Sequence, residues 1–148
     1  MRGFAAIGLY APKVDGNVAG AMRAAGCYGA AMIAIEGARY KRLPEDTQAV
    51  SRHTPVVHGI LSDLVPVDCV PVIVELCEKA SPLHLFKHPE RAFYIFGPED
   101  GSVPDNYISG ATQVVYIPTK HCMNLAATVN VVLYDRLSKQ QIPSSGGA

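Results

Sequence analysis

The chain has 148 residues, a length that predicts one globular domain able to bury roughly 68–70% of its unfolded surface. A hydrophobic content of 49% with 18% charged residues excludes a disordered chain and fits a compact α/β protein. Thirteen basic and thirteen acidic residues leave no net charge, so the chain as a whole does not attract nucleic acid at long range. Any basic surface is therefore local.

The four cysteines form no CxxC pair and show no metal-type spacing. The sequence also contains no secretory or membrane-spanning segment. We therefore expect a reducing, cytoplasmic setting and no membrane partner. The five histidines lack metal-ligand spacing as well, so no metal site is expected.

Short apolar runs alternate with helical patterns, which predicts a mostly parallel sheet flanked by helices. Strands are expected at residues 4–9, 29–35, 55–60, 69–76, 92–96 and 114–117. Helices are expected from residue 18 to about 25, closed by Gly26, at 81–86, and from Asn124 onward. This alternation predicts one α/β domain over residues 1–140 and a flexible tail at 141–148.

Two prolines and two apolar stripes refine the predicted strands and helices. Pro71 lacks a backbone N–H, so its strand starts irregularly or runs near a sheet edge at that point. Pro82 suits the first position of a helix that Ser81 would cap. Core-facing stripes are expected in the first helix at Val18, Met22 and Ala25, and in the last helix at Leu125, Val129, Val132, Leu133 and Leu137.

The C-terminal third holds the best pocket candidates. The strand at 92–96 is followed by a glycine-rich loop at 97–101, and the strand at 114–117 by a loop at 119–123. Ligands of parallel sheets bind at the carboxyl ends of strands. Asn124 is placed to cap the last helix, whose unpaired amides open onto the second loop. We therefore predict a ligand site between these two loops.

Three stretches resemble the motifs of the SpoU/TrmH branch of the SPOUT RNA methyltransferases. The first is an asparagine followed six residues later by an arginine, Asn17 and Arg23; the others are FGPEDG from Phe96 and IPTKHCMNLAATVNVVLYDRL from Ile117. Nearly the whole chain takes part, without an added RNA-binding domain. The resemblance implies a C-terminal deep trefoil knot, S-adenosylmethionine as cofactor with S-adenosylhomocysteine as product, RNA as substrate, and a homodimer.

The resemblance also assigns residues to the site. Cofactor-binding positions are Phe96, Gly97, Glu99, Gly101, Ile117, Met123 and Leu125, and catalytic positions are Arg23, Asn17, Glu99, Cys122 and Asn124. The family describes the arginine as a general base helped by the RNA phosphate. A guanidinium stays protonated at neutral pH and is a poor base, so positioning of phosphate and ribose is the role we favour. Asn124 has helix capping as a competing or concurrent role.

Cys122 departs from the family pattern, which has a serine two residues before the asparagine. A thiol is a weaker hydrogen-bond partner than a hydroxyl, which puts the acceptor contact or the reaction rate in question. His121 and Cys122 also allow a second interpretation, a nucleophilic thiol beside a base, as in a thiol hydrolase. No third, orienting residue is evident for that alternative.

A basic segment lies between the second and third predicted strands. It contains Arg39, Lys41, Arg42 and Arg52, interrupted by Glu45 and Asp46. The segment is either an ordinary charged connection or an edge that binds RNA phosphates. In a dimer, two copies of this edge could grip one tRNA.

Together these features predict an enzyme that methylates ribose 2′-hydroxyls of RNA. The residues MNLA at 123–126 of the third motif favour methylation of tRNA at the wobble position, with rRNA as the alternative substrate. The rival class is a non-catalytic RNA- or nucleotide-binding relative, in which Cys122 marks lost activity. Turnover of S-adenosylmethionine in the presence of RNA distinguishes the two classes.

Overall fold

The computed structural model describes residues 3–43 and 48–140, which form one parallel sheet flanked by helices. The strands are β1 (Phe4–Tyr10), β2 (Ile33–Glu36), β3 (Val56–His58), β4 (Val70–Val74), β5 (Ser81–Pro82), β6 (Arg91–Phe96) and β7 (Val114–Tyr116). The helices are α1 (Asp15–Cys27), α2 (Gln48–Ser51), α3 (Asp105–Gly110) and α4 (Leu125–Gln140), with 3-10 turns at Leu61–Asp63 and Leu83–Leu85. The predicted α/β class with a mostly parallel sheet is confirmed. No helix in these ranges is long and apolar enough to span a bilayer.

The strand order is β3-β2-β1-β6-β4-β7-β5, and every neighbouring pair is parallel. β7 lies between β4 and β5, although both precede it in the chain. A strand inserted between two earlier strands is consistent with a threaded chain, and the trefoil knot itself stays a prediction. The carboxyl ends of β4, β6 and β7 meet at one edge, where their loops can build a common site.

The core consists of two apolar layers, one on each face of the sheet. Successive side chains of a strand alternate between faces, so Ile7 packs with α1 and α4 while Ala6 packs on the opposite face with Phe93. Tyr94 and Phe96 of β6 belong to the first layer. Helices α1 and α4 thus cover one face of the sheet.

The stripes predicted for α1 and α4 are confirmed by burial, except that Leu137 is only half-buried. The two helices approach closely at Gly20. A Cβ added there would stand 2.6 Å from the Cβ of Ala126, so only glycine fits. This contact brings the helix with Asn17 and Arg23 against the helix that begins after Asn124.

The predicted start and end of α1 were wrong by two or three residues. The N–H groups of Asn17 and Val18 already bond to the carbonyl of Val14, so the residues from Asp15 onward form the first turn of the helix. The helix continues past Gly26 to Cys27, and Gly29 at φ 71° takes the left-handed position after it. Residues 28–32 connect the helix to the sheet, and β2 begins at residue 33 and not at 29.

The predicted helix at 81–86 was wrong. Ser81 and Pro82 pair with Val115 and Tyr116 of β7 as strand β5, and only a 3-10 turn follows. The sequence also gave no sign of α3, whose six residues contain no buried side chain. Pro71 behaves as expected, since β7 pairs with β4 only from Ile73 onward. The tail predicted at 141–148 lies outside the described residues.

Candidate functional site

Two adjoining clefts open at the carboxyl ends of β4, β6 and β7. The smaller, ≈ 170 Å³, lies between the loop after β6 and the start of α4, and the larger, ≈ 580 Å³, follows the loop after β7. They share Val74, Glu75, Cys122, Met123 and Thr128, so they form one continuous depression. This is the edge of the sheet where the sequence predicts a ligand.

The structure brings all seven predicted cofactor residues to these clefts. The smaller cleft is lined by Phe96, Gly97, Glu99, Gly101, Met123 and Leu125, and Ile117 lines the larger. Folding thus brings together residues that are far apart in the sequence. Their role in binding a cofactor stays a prediction.

Glu99 fixes the loop after β6 to the start of α1. Its carboxylate accepts hydrogen bonds from the backbone N–H of Lys13 at 2.9 Å, from that of Val14 at 3.0 Å, and from Nδ2 of Asn17 at 3.1 Å. Partial burial acts to raise the pKa of Glu99, but the donors at Lys13, Asn17 and Val14 and its own backbone N–H outweigh it and lower the pKa. Glu99 is therefore a carboxylate at neutral pH, held by three donors.

Asn124 caps α4 as predicted. Its Oδ1 accepts the N–H of Ala127 at 2.7 Å, and its backbone oxygen accepts the hydroxyl of Thr128 at 2.9 Å. The cap fixes the first turn of α4, which carries Leu125 and Thr128 into the smaller cleft.

Arg23 is exposed on α1, six residues after Asn17. Six helical residues span about 9 Å along the axis and turn the side chain by about 120° relative to the first. Asn17 therefore faces the Glu99 loop, while Arg23 projects from a different side of the same helix. The rigid element that joins them is α1 itself.

The four predicted RNA-binding residues are all exposed. Arg39 differs from the others because its guanidinium bonds to Asp100 of the loop after β6 and to the carbonyl of Ala11. Lys41, Arg42 and Arg52 lie farther along the connection from β2 to β3.

Sequence reasoning missed six residues of the clefts, namely Val74, Glu75, Leu76, Tyr116, Pro118 and Thr128. Glu75 lines both clefts, and its Oε1 accepts the N–H of Val103 at 3.1 Å. A Cβ on Gly97 would lie 3.1 Å from the backbone nitrogen of Val103 and 3.3 Å from that oxygen, so any larger residue would crowd this contact. The position of β4 beside β6 and β7 would have identified Glu75, but strand order is not readable from the sequence.

Cys122 is exposed and lines both clefts. His121 lines the larger cleft only, and its carbonyl accepts the hydroxyl of Thr119 at 2.7 Å. Within residues 3–43 and 48–140, no group of three or more His, Cys, Asp or Glu side chains is arranged to hold a metal ion.

The fold and this site define the class of protein. The family model of the SpoU rRNA methylase family matches residues 5–134. The chain therefore belongs to the SpoU rRNA methylase family, as the three motifs predicted. No curated protein sequence matches the chain significantly.

Several solved structures share the fold. The SpoU methyltransferase AviRb from Streptomyces viridochromogenes is 18% identical with a TM-score of 0.78, over 94% of this chain and 62% of that one. The AdoMet-bound rRNA methyltransferase from Sinorhizobium meliloti is 17% identical with a TM-score of 0.80, over 97% of this chain and 59% of that one. A protein studied for the 2-OH methylation of C/U34 on tRNA is 16% identical with a TM-score of 0.78, over 93% and 97%. The chain thus spans about 60% of the length of the first two and nearly all of the third.

Proposed function

We propose that the chain is an S-adenosylmethionine-dependent methyltransferase that acts on ribose 2′-hydroxyls of tRNA. The observation that carries this proposal is the hydrogen-bond cluster at Glu99, which joins the cleft of the cofactor motifs to the helix with Asn17 and Arg23. Similarity to the protein studied for tRNA 2-OH methylation supports tRNA. The family's description supports rRNA as the alternative substrate.

The residues of the clefts fit S-adenosylmethionine. The molecule combines a flat apolar base, a polar ribose and a cationic sulfonium. Phe96, Ile117 and Leu125 offer apolar walls, while the Glu75 carboxylate and the Thr128 hydroxyl offer polar contacts. When bound, this cofactor supplies an electrophilic methyl group.

The chain's own contribution is positional, because most of the barrier to such a transfer lies in aligning donor and acceptor. Glu99 holds the loop that walls the donor cleft. Arg23, a permanent cation on the exposed side of α1, would bind an RNA phosphate and orient the ribose. Cys122 lies at the exposed border of both clefts, where it would contact the acceptor. The hydroxyl proton would pass to the bound phosphate or to water.

A homodimer is part of the proposal. Tyr134 and Val131 of α4 are 57% and 37% exposed, and the ring of Tyr28 from α1 packs edge-on against Tyr134 at 6.5 Å between centroids. This apolar surface on α1 and α4 suits a second copy. Sedimentation equilibrium of the chain tests it, and a monomer at every concentration would refute it. A cytoplasmic location stays a prediction, supported by four free cysteines.

The experiment that tests the function is incubation with labelled S-adenosylmethionine and total tRNA or rRNA, followed by mass spectrometry of nucleosides. A 2′-O-methylated nucleoside from tRNA is the expected product. Binding of S-adenosylmethionine without turnover on either RNA would instead indicate the non-catalytic relative. An Arg23→Ala variant should lose transfer, whereas the exposed Lys87→Ala variant serves as the matched control. Full activity of Arg23→Ala would remove the positioning role.

A further inference from the structure

Arg39 joins three separate segments of the chain. Its Nη1 and Nη2 donate to the two oxygens of Asp100 at 3.1 and 2.6 Å, and its Nε and Nη2 donate to the carbonyl of Ala11 at 3.0 and 2.8 Å. The connections β1–α1, β2–α2 and β6–α3 therefore meet at one guanidinium. The bidentate contact is the geometry that distinguishes arginine from lysine at a carboxylate.

The backbone on the Arg39 side of this junction is fixed independently of Asp100. Ala11 has φ 49°, an uncommon value for a residue with a side chain, and its N–H bonds to Glu36 O at 2.6 Å. The N–H of Arg39 bonds to Pro12 O at 2.9 Å. These bonds hold Ala11 and Arg39 in place. We therefore expect Arg39 to position Asp100, and not Asp100 to position Arg39.

Asp100 belongs to the loop 97–101, which walls the smaller cleft and has glycine at both ends. Glu99 ties the loop to α1, and Asp100 ties it to the connection after β2. Two adjacent carboxylates thus hold a short flexible loop from two directions. Hydrogen bonding to Arg39 holds the pKa of Asp100 at about 2, so the pair is ionised throughout the neutral range.

We propose that Arg39 positions the loop 97–101, and thereby the methyl donor S-adenosylmethionine, and that it does not contact an RNA phosphate. The inference rests on the proposed function, since the loop matters only if the clefts bind S-adenosylmethionine. Lys41 and Arg42, exposed farther along the same connection, remain the candidates for RNA phosphates. Two tasks are then divided within one basic segment. Arg39 positions the methyl donor through Asp100, whereas Lys41 and Arg42 contact RNA.

The test is calorimetric titration of S-adenosylmethionine in the absence of RNA. Side chains of Arg39 and Asp100 are 40% and 44% exposed, so solvent weakens the pair and we expect about three- to fivefold weaker binding in Arg39→Ala or Asp100→Asn. The double variant should lose less affinity than the sum of the two single losses, because both substitutions remove the Arg39–Asp100 contact. Arg39→Ala also removes the bonds to Ala11, and Asp100→Asn also removes the ion pair with Lys13 at 3.7 Å. Arg39→Lys should restore only part of the affinity, and Lys41→Ala should bind like the wild type.

The outcomes separate this inference from the proposed function. Wild-type affinity in Arg39→Ala, with weaker RNA binding and a salt dependence reduced by about one phosphate contact, would show that Arg39 is a phosphate contact. Equal loss in Lys41→Ala would also overturn the inference, since the effect would then be general to the segment. No binding by the wild-type chain would refute the proposed function itself. Thermal unfolding of the ligand-free variants should be unchanged, which a purely structural role for Arg39 would not allow.

Discussion

The carboxylate of Glu99 lies 3.1 Å from the side-chain amide of Asn17, across 82 residues of sequence. This contact joins the loop after β6 to the first turn of α1, so two of the three sequence motifs meet directly. The third motif reaches the same place through Leu125 and Met123, which line the cleft beside Glu99. The three motifs therefore meet at one site, which the middle of the chain completes with Val74 and Glu75.

Glu99→Gln should weaken S-adenosylmethionine binding by about ten- to a hundredfold, the usual cost of roughly 1.5–3 kcal/mol for hydrogen bonds to a charged group. Glutamine has a single acceptor oxygen, whereas three donors converge on Glu99, and its amide would face them with a further donor. Calorimetric titration measures the change. Glu90→Gln is the matched control, an exposed glutamate at the opposite end of β6. Equal affinity in Glu99→Gln would mean that the cluster does not shape the cleft.

Cys122→Ser should raise the methyl-transfer rate by about two- to tenfold, as expected for roughly 0.5–1.5 kcal/mol from a net hydrogen bond. The residue is exposed and lines both clefts, so the change needs no repacking. A hydroxyl donates and accepts more strongly than a thiol. Single-turnover kinetics with the RNA substrate measures the rate, and Cys27→Ser, exposed on α1, is the control. Loss of activity in Cys122→Ser would favour chemistry that requires the thiol.

Most strands could be predicted from the sequence because each is an apolar run that stops at glycine, proline or a polar residue. The two-residue strand β5 could not, because Ser81 and Pro82 are extended only where β7 lies beside them. Local preference for a helix start at Ser81 was overridden by this tertiary pairing. The prediction of a helix at this position was wrong because strand order depends on contacts between residues that are far apart in the sequence.

The site shows the same division. Glu99, Asn17 and Asn124 could be predicted because they stand in motifs. Glu75 could not, since a glutamate after a strand is ordinary until the strand's neighbours are known. For Arg39, the sequence showed a basic residue among others, while its partner Asp100 lies 61 residues away. The positive charge of Arg39 could thus be predicted from the sequence, but its pairing with Asp100 could not.

Gly20→Ala should destabilise the fold by about 1–3 kcal/mol, the usual cost of overpacking a core contact. The new methyl would stand 2.6 Å from the Cβ of Ala126, so α1 and α4 would have to separate. Gly16→Ala on the same helix is the matched control, because its Cβ meets nothing within 4 Å. That variant should gain about 0.5–1 kcal/mol from reduced backbone freedom. Urea unfolding measures both, and equal stabilities would disprove close packing at Gly20.

A second polar network holds α4 at the opposite end of the sheet. Arg136, buried, donates to the backbone carbonyls of Pro89 and Glu90 and to the hydroxyl of Tyr94 at 2.9 Å. Nδ1 of His88 lies 2.7 Å from that hydroxyl, and its Nε2 lies 2.7 Å from Asp135, which also pairs with Lys139 at 2.8 Å. All partners are satisfied together if Tyr94 donates to Nδ1 and Nε2–H donates to Asp135, so His88 is neutral in the folded state.

Acidification should therefore destabilise the protein through His88. Burial, with Lys139 and Arg136 nearby, outweighs the pull of Asp135 and lowers the pKa of His88 below its usual 6.5. The unfolded chain then binds the proton more readily, so the stability contributed by His88 is complete above pH 6.5 and is lost as the pH falls from there towards the folded-state pKa. The slope reaches up to about 1.4 kcal/mol per pH unit, measurable by urea unfolding between pH 5 and about pH 7.5. His88→Gln should flatten this part of the profile, whereas the exposed His84→Gln should leave it unchanged. An identical slope in His88→Gln would assign the pH dependence to other groups and leave the buried histidine without a role in it.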